Sequence, residues 1–336
     1  MSEPILDVQQ YSVFSGIKIP ELEALAEAQE RSKWRESEIR LDGDIRAWKQ
    51  LSDSERLFIE HILAFSVVSD GLVNANLLKR FIQEVGDPSA RRFYLFQSVM
   101  EDIHARTYGL MLTAVISDSE RRAQLLEPHR YIGSIKMKIA WIEKWINSSE
   151  SFGQRLVAFA IIEGIFFSAL FCGFYWVKHR GLQLSGLVQA NEFISRDEGM
   201  HCEFAIAMLK YINNKPSESV VHQMVREAVA IEEAFAAEAL PAGLIGMNAG
   251  LMSGYVRYIA DRWLTAIPIA GSGHDPRSLR YCKKIYNTPL PIAWMQAISI
   301  QTVSNFFEKH STSYAVAKSS KSENNYFSAD IDSIDS

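Results

Sequence analysis

The chain has 336 residues, 48% of them hydrophobic, and is long enough to bury a large core. Its 35 basic and 40 acidic residues are interspersed and leave a formal net charge of −5, which argues against a basic surface for nucleic acid or an anionic membrane. The cysteines Cys172, Cys202 and Cys282 are widely spaced and the first residues form no apolar leader, so we expect a protein of the reducing cytoplasm.

Helix signals follow one another along the chain. Ser52 and Glu55 match a capping box, and Asp87 is a typical N-cap before a first-turn proline. Gly181 is a typical helix stop. The predicted helices span residues 20–33, 52–86, 87–117, 119–126, 132–147, 153–180, 186–211, 216–240, 248–263 and 292–314. Residues 268–291 are rich in Gly and Pro and predict a long loop. With no strand pattern elsewhere, the predicted fold class is all-α.

The segment 156–177 is apolar enough and long enough to cross a bilayer. Glu163 is its only acidic or basic residue. A helix at the centre of a large bundle has the same composition, because neighbouring helices surround it on every side. We favour this buried helix, since the chain has no second span and a lone Glu at mid-membrane is costly. No membrane partner is therefore expected.

The chain contains two Glu-x-x-His pairs, Glu101 with His104 and Glu198 with His201. At helical spacing, residues i and i+3 lie on one face, so each pair offers a carboxylate oxygen and an imidazole nitrogen to one ion. A single pair is a weak signal, because a histidine taken alone is more often a hydrogen-bonded core residue than a ligand. The duplication favours a shared metal site.

Two isolated acids, Asp70 and Glu163, lie within apolar helical runs, where an unpaired carboxylate is costly to bury. Ferritin-like di-metal proteins combine two Glu-x-x-His pairs with a further carboxylate from each of two other helices. Two divalent ions would neutralise four carboxylates, and oxygen ligands with two imidazoles suit iron or manganese better than zinc. The sequence thus predicts a ferritin-like helical bundle with a dinuclear site in its core, ligated by Asp70, Glu101, His104, Glu163, Glu198 and His201.

Each predicted ligand has an ordinary alternative when it is taken alone. Asp70 could bend its helix or bond a buried neighbour, and Glu163 could pair with a buried arginine. A fit of all six residues to one template favours the metal site over these separate explanations. The nearby acids Asp102, Glu192 and Asp197 match no paired spacing.

Tyr108 lies four residues after His104 and seven after Glu101, so the three side chains share one helical stripe. Its hydroxyl is therefore expected to approach the metals. Phe167 and Phe171 follow Glu163 at helical spacing, and Ile194 precedes Glu198 by four residues. These side chains are either plain core or a dry wall that protects a radical on the phenol.

The motifs around these residues resemble the small, radical-generating subunit of class I ribonucleotide reductase, over about residues 34–314. The matching stretches are residues 63–73, 100–104, 157–167, 194–201 and 305–309. The resemblance implies one iron on Asp70, Glu101 and His104, nearer the tyrosine. It implies a second iron on Glu163, Glu198 and His201, with Glu101 and Glu198 able to bridge. It also implies a stable radical on Tyr108 and an electron and proton path formed by Trp34, Asp197 and His104, with Tyr314 as the relay in a mobile tail.

The resemblance also implies a reaction. Dioxygen would oxidise a di-iron(II) centre, and the radical on Tyr108 would pass to a large subunit that reduces ribonucleotides to deoxyribonucleotides for DNA replication. The chain itself shows no phosphate-binding glycine loop and no paired cysteines, so nucleotide reduction needs that second protein. Because Tyr108 is present, two iron ions are favoured over the manganese and iron used by relatives with Phe there, with manganese as the alternative. A homodimer is implied as well.

The expected organisation is an N-terminal segment at 1–33, a ferritin-like radical-generating domain at 34–317 and a flexible tail at 318–336 that docks the large subunit. The tail departs from the family pattern, because it ends in Ser336 where relatives end in Phe.

Two other functions share the six ligands: an oxygen-dependent di-iron hydroxylase or oxidase, and a ferroxidase or iron-storage bundle. Trp34, Asp197 and Tyr314 favour the reductase subunit, since neither rival needs a relay to the surface.

Overall fold

The computed structural model describes residues 3–6, 19–270, 279–291 and 294–295. Within these ranges the chain is almost entirely helical, which confirms the predicted fold class. The α-helices are α1 (Pro20–Arg31), α2 (Asp42–Trp48), α3 (Asp53–Asn76), α4 (Ile82–Glu84), α5 (Pro88–Val115), α6 (Ser119–Leu126), α7 (Gly133–Ile146), α8 (Phe152–Ile161), α9 (Ser168–His179), α10 (Ser185–Lys210), α11 (Glu218–Ala239) and α12 (Ala249–Leu264). Single 3₁₀ turns occur at Glu36–Glu38 and Pro128–Arg130.

Local sequence signals set the starts of the long helices. The Ser52 N–H donates to Glu55 Oε2 at 2.9 Å and the Glu55 N–H donates to Ser52 Oγ at 3.3 Å, which is the capping box expected for α3. Asp87 caps α5 through the Ala90 N–H at 3.0 Å. Gly181 follows α9 with φ of 68°, a conformation that favours glycine at a helix end.

The structure differs from the sequence prediction in several elements. Two predicted continuous helices each contain a π-helical segment, Leu77–Phe81 between α3 and α4 and Ile162–Phe166 between α8 and α9. The predicted loop at 268–291 contains a short antiparallel pair, β1 (Pro268–Ala270) with β2 (Leu279–Tyr281). The helix predicted to open at Pro216 starts at Glu218. Most of the predicted helix 292–314 lies outside the described residues.

Four long elements pack into the central bundle. α3 lies along α5, α8 and α9 lie against α10, and α1 covers α5 and α10. Two helical stretches among the described residues, Asp53–Glu84 and Phe152–His179, have the length and composition of a membrane span, so the expectation of a single such stretch was wrong. All of the most apolar window of Phe152–His179 is buried inside the bundle, as expected for the central helix of a large core.

Candidate metal centre

The six predicted ligands come from four elements of the bundle and lie together at its centre. α3 carries Asp70, α5 carries the first Glu-x-x-His pair, the π-helical segment at 162–166 carries Glu163, and α10 carries the second pair. Ligand atoms of Glu101, Glu163, Glu198 and His201 all lie within 4.8 Å of one another. Asp70, Glu101 and His104 form a second group by the same measure. Because Glu101 belongs to both groups, the two groups form one cluster.

Glu101 and Glu198 lie between the two histidines. Glu198 places Oε1 at 3.1 Å from His104 Nδ1 and Oε2 at 2.9 Å from His201 Nδ1. Glu101 places Oε1 at 3.1 Å from His201 Nδ1 and Oε2 at 3.5 Å from His104 Nδ1. Each of these two glutamates therefore faces both histidines, which is the arrangement that a pair of bridging carboxylates requires.

The donor set fits a pair of cations. Asp70 Oδ2, Glu101 Oε2 and Glu163 Oε2 are buried and have no hydrogen-bond partner among the described residues. A buried carboxylate oxygen without a partner is costly unless a cation binds it. Gln97 supplies a hydrogen bond to the other oxygen of two of these carboxylates, because its Nε2 donates to Glu101 Oε1 at 3.0 Å and to Glu163 Oε1 at 3.1 Å.

The pKa values of the cluster reflect its burial and crowding. Burial and the neighbouring Glu101 and Glu198 raise the pKa of Asp70 well above its usual value, and burial with the same two glutamates does so for Glu163. Burial alone would lower the pKa of His201, but Glu101 and Glu198 raise it to about 9. Without metal, protons therefore take up part of the negative charge that cations would otherwise neutralise.

A hydrogen-bonded chain leads away from the cluster. His104 Nε2 lies 3.1 Å from Asp197 Oδ2, and the Trp34 indole N–H donates to the same oxygen at 2.7 Å. The Trp34 ring also stacks on the His104 ring, with centroids 5.8 Å apart. Arg196 donates to Asp197 Oδ1 at 3.0 Å, and its guanidinium, with His104, lowers the pKa of Asp197 against the opposing effect of burial. Asp197 is thus held as an anion between the imidazole and the indole.

Tyr108 is completely buried beside the cluster. Burial raises the pKa of its phenol well above the usual value, and the carboxylates of Asp70 and Glu198 raise it further. Phe167, Phe171 and Ile194 are buried as well, and the two phenylalanine rings stack at 5.8 Å. The phenol is therefore protonated near neutral pH, with the carboxylates of Asp70 and Glu198 close by and buried apolar side chains in the same core.

Asp102 and Glu192, which lie near the ligands in sequence, have surface roles. Asp102 pairs with Arg106 at 3.0 Å and Glu192 pairs with Lys178 at 2.5 Å, all of them on exposed parts of the helices. Tyr314 lies outside the described residues. Sequence reasoning missed Gln97, although its position four residues before Glu101 on the same helical face was an available signal. It also missed Arg196.

The fold and the cluster define the class of ferritin-like bundles with a candidate dinuclear carboxylate–histidine centre. The family model described as "Ribonucleotide reductase, small chain" matches residues 12–271. The ribonucleoside-diphosphate reductase small subunit of Dictyostelium discoideum is 44% identical over 93% of this chain and 89% of its own length. The corresponding small chain of Vaccinia virus (strain Western Reserve) is 39% identical over 98% of this chain and 96% of its own.

Solved structures agree with these relatives. The Rnr4 ribonucleotide reductase homodimer of Saccharomyces cerevisiae superposes with a TM-score of 0.74 at 28% identity, over 88% of this chain and 91% of that one. The chain belongs to the ribonucleotide reductase small-chain family. The resemblance seen in the sequence motifs is thereby confirmed.

Proposed function

We propose that this chain is the subunit of a ribonucleoside-diphosphate reductase that generates and stores a radical on Tyr108. The observation that carries the proposal is the buried cluster of Asp70, the two Glu-x-x-His pairs and Glu163 beside a buried phenol. Iron storage or iron oxidation does not require a buried phenol beside the metal ligands, whereas radical storage does. The membership of the small-chain family supports the same assignment.

The cluster would hold two metal ions, iron by preference and manganese as the alternative. Asp70, Glu101 and His104 would bind the ion nearer the tyrosine, and Glu163, Glu198 and His201 the other. Four carboxylates and two imidazoles form a hard, oxygen-rich set that suits either metal. When bound, the metal pair would supply the reduction of dioxygen and the oxidation of the phenol.

The protein's own groups determine how Tyr108 reacts. Because the pKa of the phenol is raised by burial and by Asp70, the hydroxyl keeps its proton at neutral pH and must lose an electron and a proton together. The apolar side chains of Phe167, Phe171 and Ile194 would exclude water and reductants from the oxidised ring. A radical in such an interior decays slowly.

Transfer to a large subunit requires a route out of the bundle, and His104, Asp197 and Trp34 would supply its buried part through continuous hydrogen bonds. Asp197 accepts from both the imidazole and the indole, so proton shifts along the chain can accompany electron transfer. Tyr314 and the tail at 318–336 would complete the route and dock the partner. An oxygen-dependent hydroxylase would need no such route.

We expect Trp34→Phe to lower ribonucleotide reduction by about 10²-fold when the large subunit is present, since a misplaced reacting group costs on that order. The benzyl ring keeps an aromatic side chain at this position but is smaller than the indole and cannot donate to Asp197. Metal content and the tyrosyl radical yield should match the wild type. The matched control is Trp48→Phe, another buried indole on α2, which should reduce nucleotides normally. Equal activity of the two variants would contradict the relay.

A second copy of the chain is the expected partner of an exposed face of α5 that carries Leu95, Val99 and Leu110 around the Asp102–Arg106 ion pair. Their side chains are about half exposed, at 50%, 48% and 49%. Exposed apolar faces of this kind mark protein interfaces, and the yeast relative is a homodimer.

Val99→Glu should convert the dimer to a monomer at micromolar concentration, because the symmetric contact would bring two new charges together. Light scattering after size exclusion measures the mass. Leu126→Glu, at an exposed leucine on α6, is the control and should remain dimeric. A dimeric Val99→Glu protein would place the interface elsewhere.

We assign this assembly to the cytoplasm, where the free thiols of Cys172, Cys202 and Cys282 would stay reduced.

A further inference from the structure

An ion pair outside the metal cluster is completely buried in the bundle. Lys138 on α7 places Nζ at 2.5 Å from Glu232 Oε2 on α11, and neither side chain is exposed. The ammonium group also lies between the rings of Phe65 and Phe235, at 3.9 and 4.0 Å from their centroids. Both charges are thus removed from water and surrounded by aromatic side chains.

Both members of the pair bond the main chain at the end of the π-helical segment that carries Glu163. Lys138 Nζ donates to the Phe166 carbonyl at 2.9 Å. The Ala169 N–H donates to Glu232 Oε1 at 3.2 Å. The two contacts lie on either side of Phe167, where the π-helical segment gives way to α9. One charged pair therefore satisfies a backbone acceptor and a backbone donor at the same junction.

The opposite side of the segment is closed by packing. A Cβ added at Gly164 would lie 2.7 Å from Trp263 Nε1 and 2.9 Å from Cys202 Sγ, so the backbone there is in close contact with α12 and α10. The segment has no room to move toward these helices. On the side of α7 and α11, the Lys138–Glu232 pair is hydrogen-bonded to the end of the segment and the start of α9.

Stability alone is a poor explanation for this pair. Removing two charges from water costs more than their attraction returns in many proteins, and well-packed apolar replacements are often equally stable or better. Burial lowers the pKa of Lys138 and raises that of Glu232 to about 7, each against the opposing effect of its partner. Burying the pair thus costs free energy of folding, so we look for its role in the backbone contacts that it makes.

We propose that the Lys138–Glu232 pair is a positioning device for Glu163, which fixes the π-helical segment and so the direction from which this carboxylate enters the metal centre. The inference rests on the proposed function, in which Glu163 is a metal ligand. π-Helical turns often occur at functional sites, and outer-shell contacts that orient ligands are worth about 10–100-fold in metal affinity. Neither Lys138 nor Glu232 would touch the metals.

The test uses the full-length metal-free protein with Lys138→Met and Glu232→Leu combined, which removes both charges but keeps the volume. We expect a melting temperature close to that of the wild type and a roughly 10–100-fold weaker affinity for one of two Mn(II) ions, followed by the paramagnetic resonance of free Mn(II). Amide hydrogen exchange over residues 162–170 of the metal-free protein should be about tenfold faster, as expected for the loss of backbone hydrogen bonds.

The chain offers a matched control on the same two helices. Lys144 and Glu227 also join α7 to α11, with Nζ and Oε2 3.4 Å apart, but at the protein surface. Glu227 also accepts the Trp141 indole N–H at 3.1 Å, and the Trp141 ring packs on Phe166. Lys144→Met with Glu227→Gln removes both charges but keeps an acceptor for that indole, so it should leave Mn(II) binding and exchange at 162–170 unchanged. If both double variants behave alike, the positioning role is wrong.

Two further results separate this inference from the proposed function. If the wild type binds no pair of Mn(II) ions, the metal centre itself is refuted and the inference fails with it. If the buried double variant does not fold, Glu232→Gln takes its place, with Glu227→Gln as the control. The new amide keeps an oxygen for the Ala169 N–H but loses the ion pair, so we expect Mn(II) binding about tenfold weaker than in Glu227→Gln. Equal affinities would overturn the proposal.

Discussion

Tyr108→Phe should abolish the tyrosyl radical completely while leaving metal binding intact. The substitution removes one oxygen from a fully buried ring and touches none of the six predicted ligands. Phenylalanine cannot be oxidised under conditions that oxidise tyrosine, so the electron and proton that Tyr108 would lose have no replacement source at this position. Metal-free protein given Fe(II) and oxygen is examined by electron paramagnetic resonance, with metal content measured on the same samples.

Tyr94→Phe is the control, because Tyr94 is also buried on α5 and close enough to Glu163 that burial and this carboxylate together raise the pKa of its phenol. The control should retain the radical signal at wild-type yield. A radical that persists in Tyr108→Phe but is lost in Tyr94→Phe would move the oxidised residue to the other phenol. Loss in both variants would indicate damage to the metal centre, and metal analysis of the same samples would detect it.

The ends of the helices were predictable because they depend on neighbouring residues. The Ser52–Glu55 box and the Asp87 cap are made within a few residues, so their sequence signals carry over directly to structure. The Glu-x-x-His pairs were readable for the same reason, since helical periodicity places both side chains on one face. Convergence of the two pairs could be inferred only from a template for the whole bundle.

The π-helical segments were not predictable from local sequence. Residues 162–166 read as ordinary helix, and the contacts that surround this segment come from elsewhere in the chain. Those contacts are the Lys138–Glu232 pair on one side and the Trp263 indole on the other. From its own helix, Lys138 would be predicted to lie at the surface. Nothing there indicates that it will be buried in an ion pair with Glu232. The contact of Gln97 with Glu163 is likewise tertiary.

The largest effect on stability is expected at Asp70, with opposite signs in the absence and presence of metal. Burial raises the pKa of Asp70 in the folded, metal-free protein well above its ordinary value. As pH rises past the pKa of the unfolded state, the unfolded chain releases this proton and the folded chain keeps it, so stability falls as pH rises toward the folded pKa. Asparagine has nearly the same shape and no proton to release, so Asp70→Asn removes this loss.

Metal-free Asp70→Asn should therefore melt above the wild type, by about 2 °C for each kcal/mol gained, with a gap that widens as pH rises above about 4, the ordinary pKa of an aspartate. Metal binding should reverse this order of melting temperatures. At free metal a thousandfold above the dissociation constant, binding stabilises the wild type by about 4 kcal/mol. The variant lacks one charged ligand and should lose most of that gain. Calorimetry with and without Mn(II) at each pH measures both effects.

Asp44→Asn is the control that distinguishes the effect of metal binding from the effect of replacing any buried aspartate. Asp44 also has no exposed surface and burial raises its pKa too, but its two oxygens accept from the Leu187 N–H at 2.9 Å and the Gly186 N–H at 3.0 Å at the start of α10. Loss of one of these bonds should outweigh the gain from removing the raised pKa. An amide can accept only one of these bonds, so the substitution should destabilise the protein by about 1–3 kcal/mol with or without metal. The gain from Mn(II) should be unchanged. If Asp70→Asn instead lowers the stability of the metal-free protein as Asp44→Asn does, then Asp70 is held by protein contacts, and the charge balance that requires two cations is wrong.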